Sequence, residues 1–268
     1  MNETLKRALS GAVYIILLLS CILYSKESLA ILFSILLVFG VYEFAKMTSV
    51  NFYAGILIAG CTYYLFYNQS YNIPINNSIT IFTVLISIRL LYFLFQKNDK
   101  KFDILTQYFI LIGYIIFPFI LTNYVPIGVK GYNSDILISV IVLIWTNDTF
   151  AYLVGKNFGK HKLFPSVSPK KTIEGFIGGL LFSVICGILL GKYFIGVKHI
   201  YFWVVIAIIV SIFSTLGDLI ESKLKRIAGV KDSGTIMPGH GGILDRLDSI
   251  IFVIPFINLF YLILRYVS

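Results

Sequence analysis

Charged residues are scarce in this sequence: Asp, Glu, Lys and Arg make up only 13% of it, where a soluble domain has about 25%. Apolar residues account for 58% of the 268 positions. So few polar side chains cannot cover the outside of a water-soluble domain, which excludes that class. Aromatic residues at 16% and glycines without a regular period exclude disordered and collagen-like chains. The class that remains is an integral membrane protein with several spans.

Cysteine and sequence repeats are also scarce. Cys21, Cys61 and Cys186 each lie in an apolar run, and no C-x-x-C spacing occurs. This argues against a disulfide framework and against a zinc site, and it is typical of small buried side chains. No internal repeat is evident, which weakens the interpretation as an inverted-repeat transporter.

Long apolar runs fill most of the chain. They lie at about 8–24, 28–47, 52–68, 78–96, 103–126, 135–154, 174–195, 199–219 and 249–266. A transmembrane helix needs about 20 residues, so the runs predict an all-α polytopic membrane protein with about nine spans and no room for a separate soluble domain. Lys6 and Arg7 precede the first run as in a signal peptide, but no small-residue cleavage site follows. We therefore expect that helix to be retained.

The basic residues predict the orientation of the chain. With the N-terminus in the cytoplasm, 16 Lys and Arg fall in cytoplasmic segments and 5 on the other side, and Arg89 lies within a span. This bias follows the positive-inside rule. It also accounts for much of the net charge of +9 without a nucleic-acid partner.

The two parts of the chain differ in polarity. Residues 1–140 are predicted to form about five apolar helices with short connectors. Residues 141–268 are predicted to form the catalytic region, with cytoplasmic loops near 155–173 and 225–248. Seven of the 13 acidic residues lie in this second part: Asp148, Glu174, Asp218, Glu221, Asp232, Asp245 and Asp248.

The stretch 217–249 combines carboxylates, glycines and basic residues. Asp218, Glu221, Ser222 and Lys225 follow helical spacing on one face, and Asp245 and Asp248 form a second i, i+3 pair. Converging carboxylates repel one another unless a cation neutralises them, and oxygen ligands without His or Cys favour Mg²⁺. Between the pairs lies the turn Pro238-Gly239-His240-Gly241-Gly242, and the basic residues around it are Lys223, Lys225, Arg226, Lys231 and Arg246. This combination indicates phosphate chemistry on a nucleotide.

A second polar stretch runs from Trp145 to Gly179. Asp148 lies within a span, and Ser168, Lys170, Lys171 and Thr172 lead into the next apolar run. Thr172 is expected to cap that helix, with Glu174 in its first turn. Basic residues beside a helix start predict an anion site on the same cytoplasmic face.

These residues resemble a known family, the phosphatidate cytidylyltransferases or CDP-diacylglycerol synthases. The family signature reads S-x-apolar-K-R, four residues, K-D, a small residue, and P-x-H-G-G-apolar-x-D-R-apolar-D. Its positions are occupied here by Ser222, Lys225, Arg226, Lys231, Asp232, Gly234, Pro238, His240, Gly241, Gly242, Asp245, Arg246 and Asp248. Met237 departs mildly from the Leu, Ile or Phe of the family. The elements D-T-x-A-Y from Asp148 and S-P-K-K-T-x-E-G-x-x-G-G from Ser168 are also similar to the family.

The resemblance implies a reaction in which CTP and phosphatidic acid give CDP-diacylglycerol and pyrophosphate at the cytoplasmic face of the inner membrane. It implies a requirement for Mg²⁺ and, in some members, a monovalent cation such as K⁺. We expect Asp218 and Asp245 as the first metal ligands and Glu221 and Asp248 as further ones. The remaining catalytic candidates are Lys225, Arg246 and His240. The substrate-binding candidates are Asp148, Ser168, Lys170, Lys171, Thr172, Ser222, Arg226, Lys231, Asp232, Gly241 and Gly242.

Two other functions are alternatives to nucleotidyl transfer. A CDP-alcohol phosphotransferase would carry D-G-x-x-A-R, which the sequence lacks. A cation or metabolite transporter could use the same membrane acids, but the glycine turn and its basic residues argue against it. The sequence leaves open whether the protein forms a homodimer.

Overall fold

The computed structural model describes residues 3–67, 73–96, 101–128, 131–195 and 200–267. Within these ranges the chain is a bundle of long apolar helices. They are α1 (Glu3–Tyr24), α2 (Lys26–Met47), α3 (Phe52–Tyr67), α4 (Ile73–Phe95), α5 (Ile104–Thr122), α6 (Ser134–Phe158), α7 (Ile173–Ile195), α8 (Tyr201–Ile227) and α9 (Leu244–Val267). Four of the basic residues counted above, Lys97, Lys100, Lys130 and Lys198, lie outside the described residues.

Eight of the described helices are long and apolar enough to cross a membrane, with mean hydropathy between 1.7 and 2.2. The remaining one, α3, is a shorter apolar helix. The prediction of an all-α polytopic membrane protein is therefore confirmed. The count of nine spans and the cytoplasmic N-terminus stay predictions.

Polar residues at the helix starts fix where several of these elements begin. Ser25 and Ser28 form a capping box at α2, Asp103 caps α5 by accepting from the Thr106 N–H, and Asn133 caps α6. A π-helical turn, Leu111–Ile116, interrupts α5 ahead of Pro118. A second π-helical turn, Leu190–Ile195, ends α7.

Two short hairpins connect the helices. Strands β1 (Ile127–Gly128) and β2 (Gly131–Tyr132) pair between α5 and α6. Strands β3 (Lys162–Phe164) and β4 (Ser168–Thr172) pair antiparallel between α6 and α7, with Lys162 opposite Thr172. The Ser168–Thr172 segment, expected only to lead into a helix, is thus the second strand of a hairpin. As predicted, Thr172 caps α7, because its side chain accepts from the Gly175 N–H.

The last four helices pack closely on one another. Stacked rings join α6 to α7 at Phe150 and Phe182, with centroids 3.8 Å apart, and α8 to α9 at Phe213 and Phe256, at 3.5 Å. Glycine permits the contact between α6 and α7, since a Cβ on Gly178 would lie 2.6 Å from Val154. This contact explains one glycine of the E-G-x-x-G-G element.

The loop boundaries expected from hydropathy were wrong. Helix α6 continues to Phe158 and α8 to Ile227, while α9 already begins at Leu244. The second loop therefore covers 228–243 rather than 225–248. Hydropathy placed the helix ends too early because charged residues on a helix face lower the local average without ending the helix.

Candidate active site

A polar cavity of about 700 Å³ opens at one end of the last four helices. Its walls come from α6, α7, α8, α9 and the β3–β4 hairpin. Ten of the predicted site residues line it: Asp148, Lys170, Lys171, Thr172, Asp218, Lys225, Asp232, Asp245, Arg246 and Asp248. Lys156 and Lys162, which the sequence did not single out, line it as well. Most of the two predicted constellations thus meet in one space.

Three carboxylates converge beside this cavity: Asp218 and Glu221 on α8 and Asp248 on α9. We call them the three-carboxylate group, since one ligand oxygen of each lies within 4.8 Å of the others. Glu221 is only 2% exposed, and among the described residues its Oε1 has no hydrogen-bond partner. Such a set of hard oxygen atoms, one of them unpaired and buried, fits a divalent cation such as Mg²⁺.

Asp245, expected as a first metal ligand, lies outside this group in the described structure. Its Oδ1 accepts from Lys225 Nζ at 2.5 Å, and its Oδ2 accepts from the Ser233 and Gly242 N–H groups, each at 2.8 Å. Both oxygens are thus already paired within the protein. Asp245 as a ligand stays a prediction, but the geometry favours Asp218, Glu221 and Asp248.

Two lysines are paired with these carboxylates. Lys225 Nζ also donates to Glu221 Oε2 at 2.6 Å, so it bridges Glu221 and Asp245. Lys171, from the end of β4, lies 2.5 Å from Asp218. Once a cation neutralises the carboxylates, these lysine ammonium groups can donate hydrogen bonds to a phosphate instead.

Beside Asp148 lies a network of hydrogen bonds that the sequence did not indicate. Asn147, only 1% exposed, donates through Nδ2 to Ser214 at 3.0 Å and to Asp148 at 3.3 Å. Ser211 donates to Asn147 Oδ1 at 2.6 Å. These bonds fix the α6 backbone against α8 next to the cavity and restrict the carboxylate of Asp148.

His240 lies at the other side of α9, where it lines a second cavity of about 240 Å³ between α1, α6 and α9. Its Nδ1 is 2.8 Å from Ser10 Oγ, and its carbonyl accepts from Arg246 Nε. Partial burial, with the positive charges of Arg246 and Arg7, lowers the pKa of His240. The described geometry gives His240 a bracing contact with α1.

Several other candidates occupy the edges of the site. Ser222 donates to Asp218 at 3.2 Å, and Arg226 donates to the carbonyl of Val230 at the end of α8. Lys231 is exposed, and Gly241 takes a left-handed φ of +84° that permits the turn. In the described part of the chain, Ser168, Ser222, Arg226, Lys231, Gly241 and Gly242 do not line the larger cavity.

The expected place of Lys223 beside the glycine turn was wrong. It is 4% exposed, and its Nζ donates to the carbonyls of Phe93 and Gln96 at 2.9 and 2.6 Å. It therefore caps the end of α4. Lys223 and Lys225 are two positions apart on a helix, so their side chains leave it on different faces.

Glu43 is a further residue at this end of the bundle that the sequence did not single out. It is a fully buried glutamate on α2 that contacts the glycine turn and the start of α9. A signal was present, because an ionisable residue within an apolar span is costly and usually has a specific partner.

Comparison with known proteins shows the family to which the chain belongs. The model of the cytidylyltransferase family matches residues 5–264. The phosphatidate cytidylyltransferase of Staphylococcus haemolyticus (strain JCSC1435) is 40% identical over 194 residues, which cover 70% of this chain and 69% of that protein. That of Staphylococcus aureus (strain COL) is 42% identical over 166 residues, covering 62% and 60%. That of Staphylococcus epidermidis (strain ATCC 12228) is 39% identical over 165 residues, again 62% and 60%.

Fold and composition together define an integral membrane protein, with a cavity lined by carboxylates and lysines at one end of its helices. The family model matches nearly the whole chain, so it identifies the family to which the chain belongs. The chain belongs to the cytidylyltransferase family, and it is a nucleotidyltransferase. The resemblance found in the sequence motifs is confirmed. The matched segments span 60 to 69% of the length of the Staphylococcus relatives.

Proposed function

We propose that this chain transfers CMP from CTP to phosphatidic acid, giving CDP-diacylglycerol and pyrophosphate. The observation that carries the proposal is the position of the three-carboxylate group beside a polar cavity that several lysines line among membrane helices. Relatives at about 40% identity that bear the name phosphatidate cytidylyltransferase support the choice of substrates.

The proposed reaction is an in-line substitution at phosphorus. An anionic phosphate oxygen of phosphatidic acid forms a bond to the α-phosphorus of CTP. The bond from that phosphorus to the oxygen bridging the β-phosphate breaks, and its electron pair leaves with pyrophosphate. The attacking oxygen has no proton to lose, so the protein has only to position the groups and stabilise charge.

The residues of the cavity divide this work between them. Asp218, Glu221 and Asp248 would hold Mg²⁺, which when bound neutralises negative charge on the triphosphate. Lys170 and Lys171 from the hairpin, with Lys156 and Lys162, face the cavity and can bind phosphate oxygens. Lys225 holds Glu221 and Asp245 in place from between them. Charge stabilisation at fixed positions supplies most of the rate in such reactions.

We further propose that the site faces the cytoplasm of a bacterial inner membrane, where CTP is present. Three sets of contacts support a single face. Ser10 near the start of α1 contacts the glycine turn, Glu43 near the end of α2 contacts the start of α9, and Lys223 contacts the end of α4. Those helix ends share a face only if the intervening helices, including α3, alternate in direction. This agrees with nine spans and with the bias of the basic residues.

The proposal is tested with purified protein in detergent micelles given Mg²⁺, phosphatidic acid and CTP labelled in the cytosine. We expect label in chloroform-soluble lipid, with one pyrophosphate released per labelled lipid. Replacement of phosphatidic acid by diacylglycerol is the matched control and should give none. A transporter would give no labelled lipid with either substrate, and that result would overturn the proposal.

A further inference from the structure

Glu43 is a carboxylate from the first part of the chain that is enclosed by the last part. It is 0% exposed, near the end of α2. Its Oε1 accepts from the N–H of Ile243 and its Oε2 from the N–H of Leu244, each at 2.9 Å. These are backbone N–H groups at the start of α9, where no earlier turn of helix supplies acceptors. A negative charge there is also favoured by the helix dipole.

One hydroxyl group connects Glu43 to Asp245. Ser233 Oγ lies 2.8 Å from Glu43 Oε2 and 3.0 Å from Asp245 Oδ2. The same Asp245 oxygen accepts from the backbone of Ser233 and Gly242. The orientation of Asp245 is thus fixed by a loop segment and a turn that Glu43 itself holds.

The glycines of the motif make room for this glutamate. A Cβ on Gly234 would lie 2.5 Å from Glu43 Oε1, and its three nearest neighbours would all be Glu43 atoms. A Cβ on Gly242 would lie 2.4 Å from Glu43 Oε2. The approach of Glu43 therefore explains the small residue at position 234, and Glu43 together with Ser233 Oγ, 2.1 Å from such a Cβ, explains the glycine at position 242. Gly234 in the loop and Gly242 in the glycine turn thus both lie against Glu43.

We propose that Glu43 is a positioning residue for the transfer reaction: it holds the glycine turn and the start of α9 so that Asp245 and Asp248 face the cavity. Asp245 in turn fixes Lys225, and Lys225 fixes Glu221. Glu43 itself touches no reacting atom. This inference rests on the proposed function for its catalytic consequence, and on geometry alone for the contact.

The first test is Glu43→Gln, which keeps the volume but places an amide group against N–H donors. We expect kcat for CDP-diacylglycerol formation to fall about 10–100-fold, as for residues that orient ligands from behind. KM for CTP should change by less than about threefold, because the phosphate-binding lysines stay in place. Thr83→Val is the control, since Thr83 is also 0% exposed and donates to a carbonyl of its own helix. It should keep the kcat of the wild-type protein.

A merely structural role would give a different result. Activity would then fall only in proportion to the amount of folded protein, measured by gel filtration and thermal unfolding, and kcat per folded molecule would stay normal. That result, or an unchanged kcat, would overturn the proposal.

The second test needs no activity and uses thermal unfolding of four proteins: wild type, Gly234→Ala, Glu43→Ala and the double variant. We expect Gly234→Ala to lower the unfolding midpoint strongly in the wild-type background and little when Glu43 is alanine. Equal losses in both backgrounds would overturn the placement of Glu43. If the wild-type protein makes no CDP-diacylglycerol, the proposed function fails, and this cycle still decides whether Glu43 holds the turn.

Discussion

Glu43 on α2 and Glu221 on α8 are both buried glutamates on apolar helices, at 0% and 2% exposure. Their oxygens have different surroundings. Both oxygens of Glu43 accept backbone N–H groups, with Ser233 as a third partner. Glu221 is bound through one oxygen to Lys225, and its other oxygen has no partner among the described residues.

This difference separates a carboxylate that organises the fold from one that is prepared for a ligand. A buried charge is tolerated when its partners come from the protein, as for Glu43. Glu221 lacks that full set and lies near Asp218 and Asp248. A bound cation would lower the repulsion between the three carboxylates, so it would stabilise the site under the proposed function. The experiments below test this distinction.

The largest effect is expected at the three-carboxylate group. Asp248→Asn removes one charged oxygen donor without changing shape, and we expect kcat/KM to fall by about 10²–10³-fold. The half-saturating Mg²⁺ concentration should rise at the same time. Both are measured by titrating Mg²⁺ in the labelled-CTP assay. Asp103→Asn is the control, because Asp103 caps α5 away from the site and asparagine caps equally well. Wild-type Mg²⁺ dependence in Asp248→Asn would contradict the assignment.

A smaller loss is expected from Asp245→Asn. Because Asp245 holds Lys225 rather than lying in the three-carboxylate group, we expect a fall in kcat of about 10–100-fold with little change in the Mg²⁺ requirement. The comparison with Asp248→Asn is made in the same titration. If Asp245→Asn instead raises the Mg²⁺ requirement as much as Asp248→Asn does, Asp245 is a metal ligand, as its sequence first indicated.

Loss of Lys223 should affect stability and leave the chemistry intact. Lys223→Met keeps the apolar stem but leaves buried carbonyl groups of α4 without this donor, at a cost of about 1–3 kcal/mol. We expect a lower thermal midpoint in detergent and a normal kcat at low temperature. Lys101→Met, at an exposed position, should change neither. A loss of kcat without loss of stability would instead return Lys223 to the phosphate site.

The smallest effect is a dependence on pH through His240. Its pKa is lowered in the folded protein, so as the pH falls below the ordinary value of 6.5 the unfolded chain binds a proton first. Stability should therefore decrease with falling pH in that range. The measurement is the thermal midpoint as a function of pH, between about pH 7.5 and about pH 5, a range that brackets the titration of histidine. His240→Gln should reduce the dependence of the midpoint on pH. Identical slopes would show that the Ser10 contact does not depend on the neutral ring.

The sequence predicted the membrane class for physical reasons, and the structure brings most of the predicted site residues together in one cavity. Apolar runs report burial in lipid directly, and the spacing of Asp218 and Glu221 follows from helix geometry. The sequence indicated only that Asp248 converges with that pair. How close it comes depends on how α9 packs on α8. The separation of Asp245 from the group could not be predicted, since it results from a turn whose conformation is set by distant contacts.

Glu43 and Lys223 show why the rest was missed. The partners of Glu43 are backbone N–H groups of Ile243 and Leu244. Almost every residue has a backbone N–H group, so the sequence does not indicate which of them will bind a carboxylate. Lys223 was assigned to the turn because it is close in sequence to Lys225, although the helix directs the two side chains differently. Closeness in sequence predicts closeness in space for residues on the same helix face, but not for residues on different faces.

The long sequence separation of the Glu43 contacts has a consequence for biogenesis. The second helix enters the membrane early in synthesis, but the N–H groups that pair with Glu43 belong to residues 200 and 201 positions later. Until α9 is inserted, this carboxylate must remain at the aqueous surface or find temporary partners. Insertion of α9 therefore both buries Glu43 and brings Asp248 to the carboxylate site. A chain that ends before α9 would lack the backbone partners of Glu43 at Ile243 and Leu244, as well as Asp248 of the three-carboxylate group.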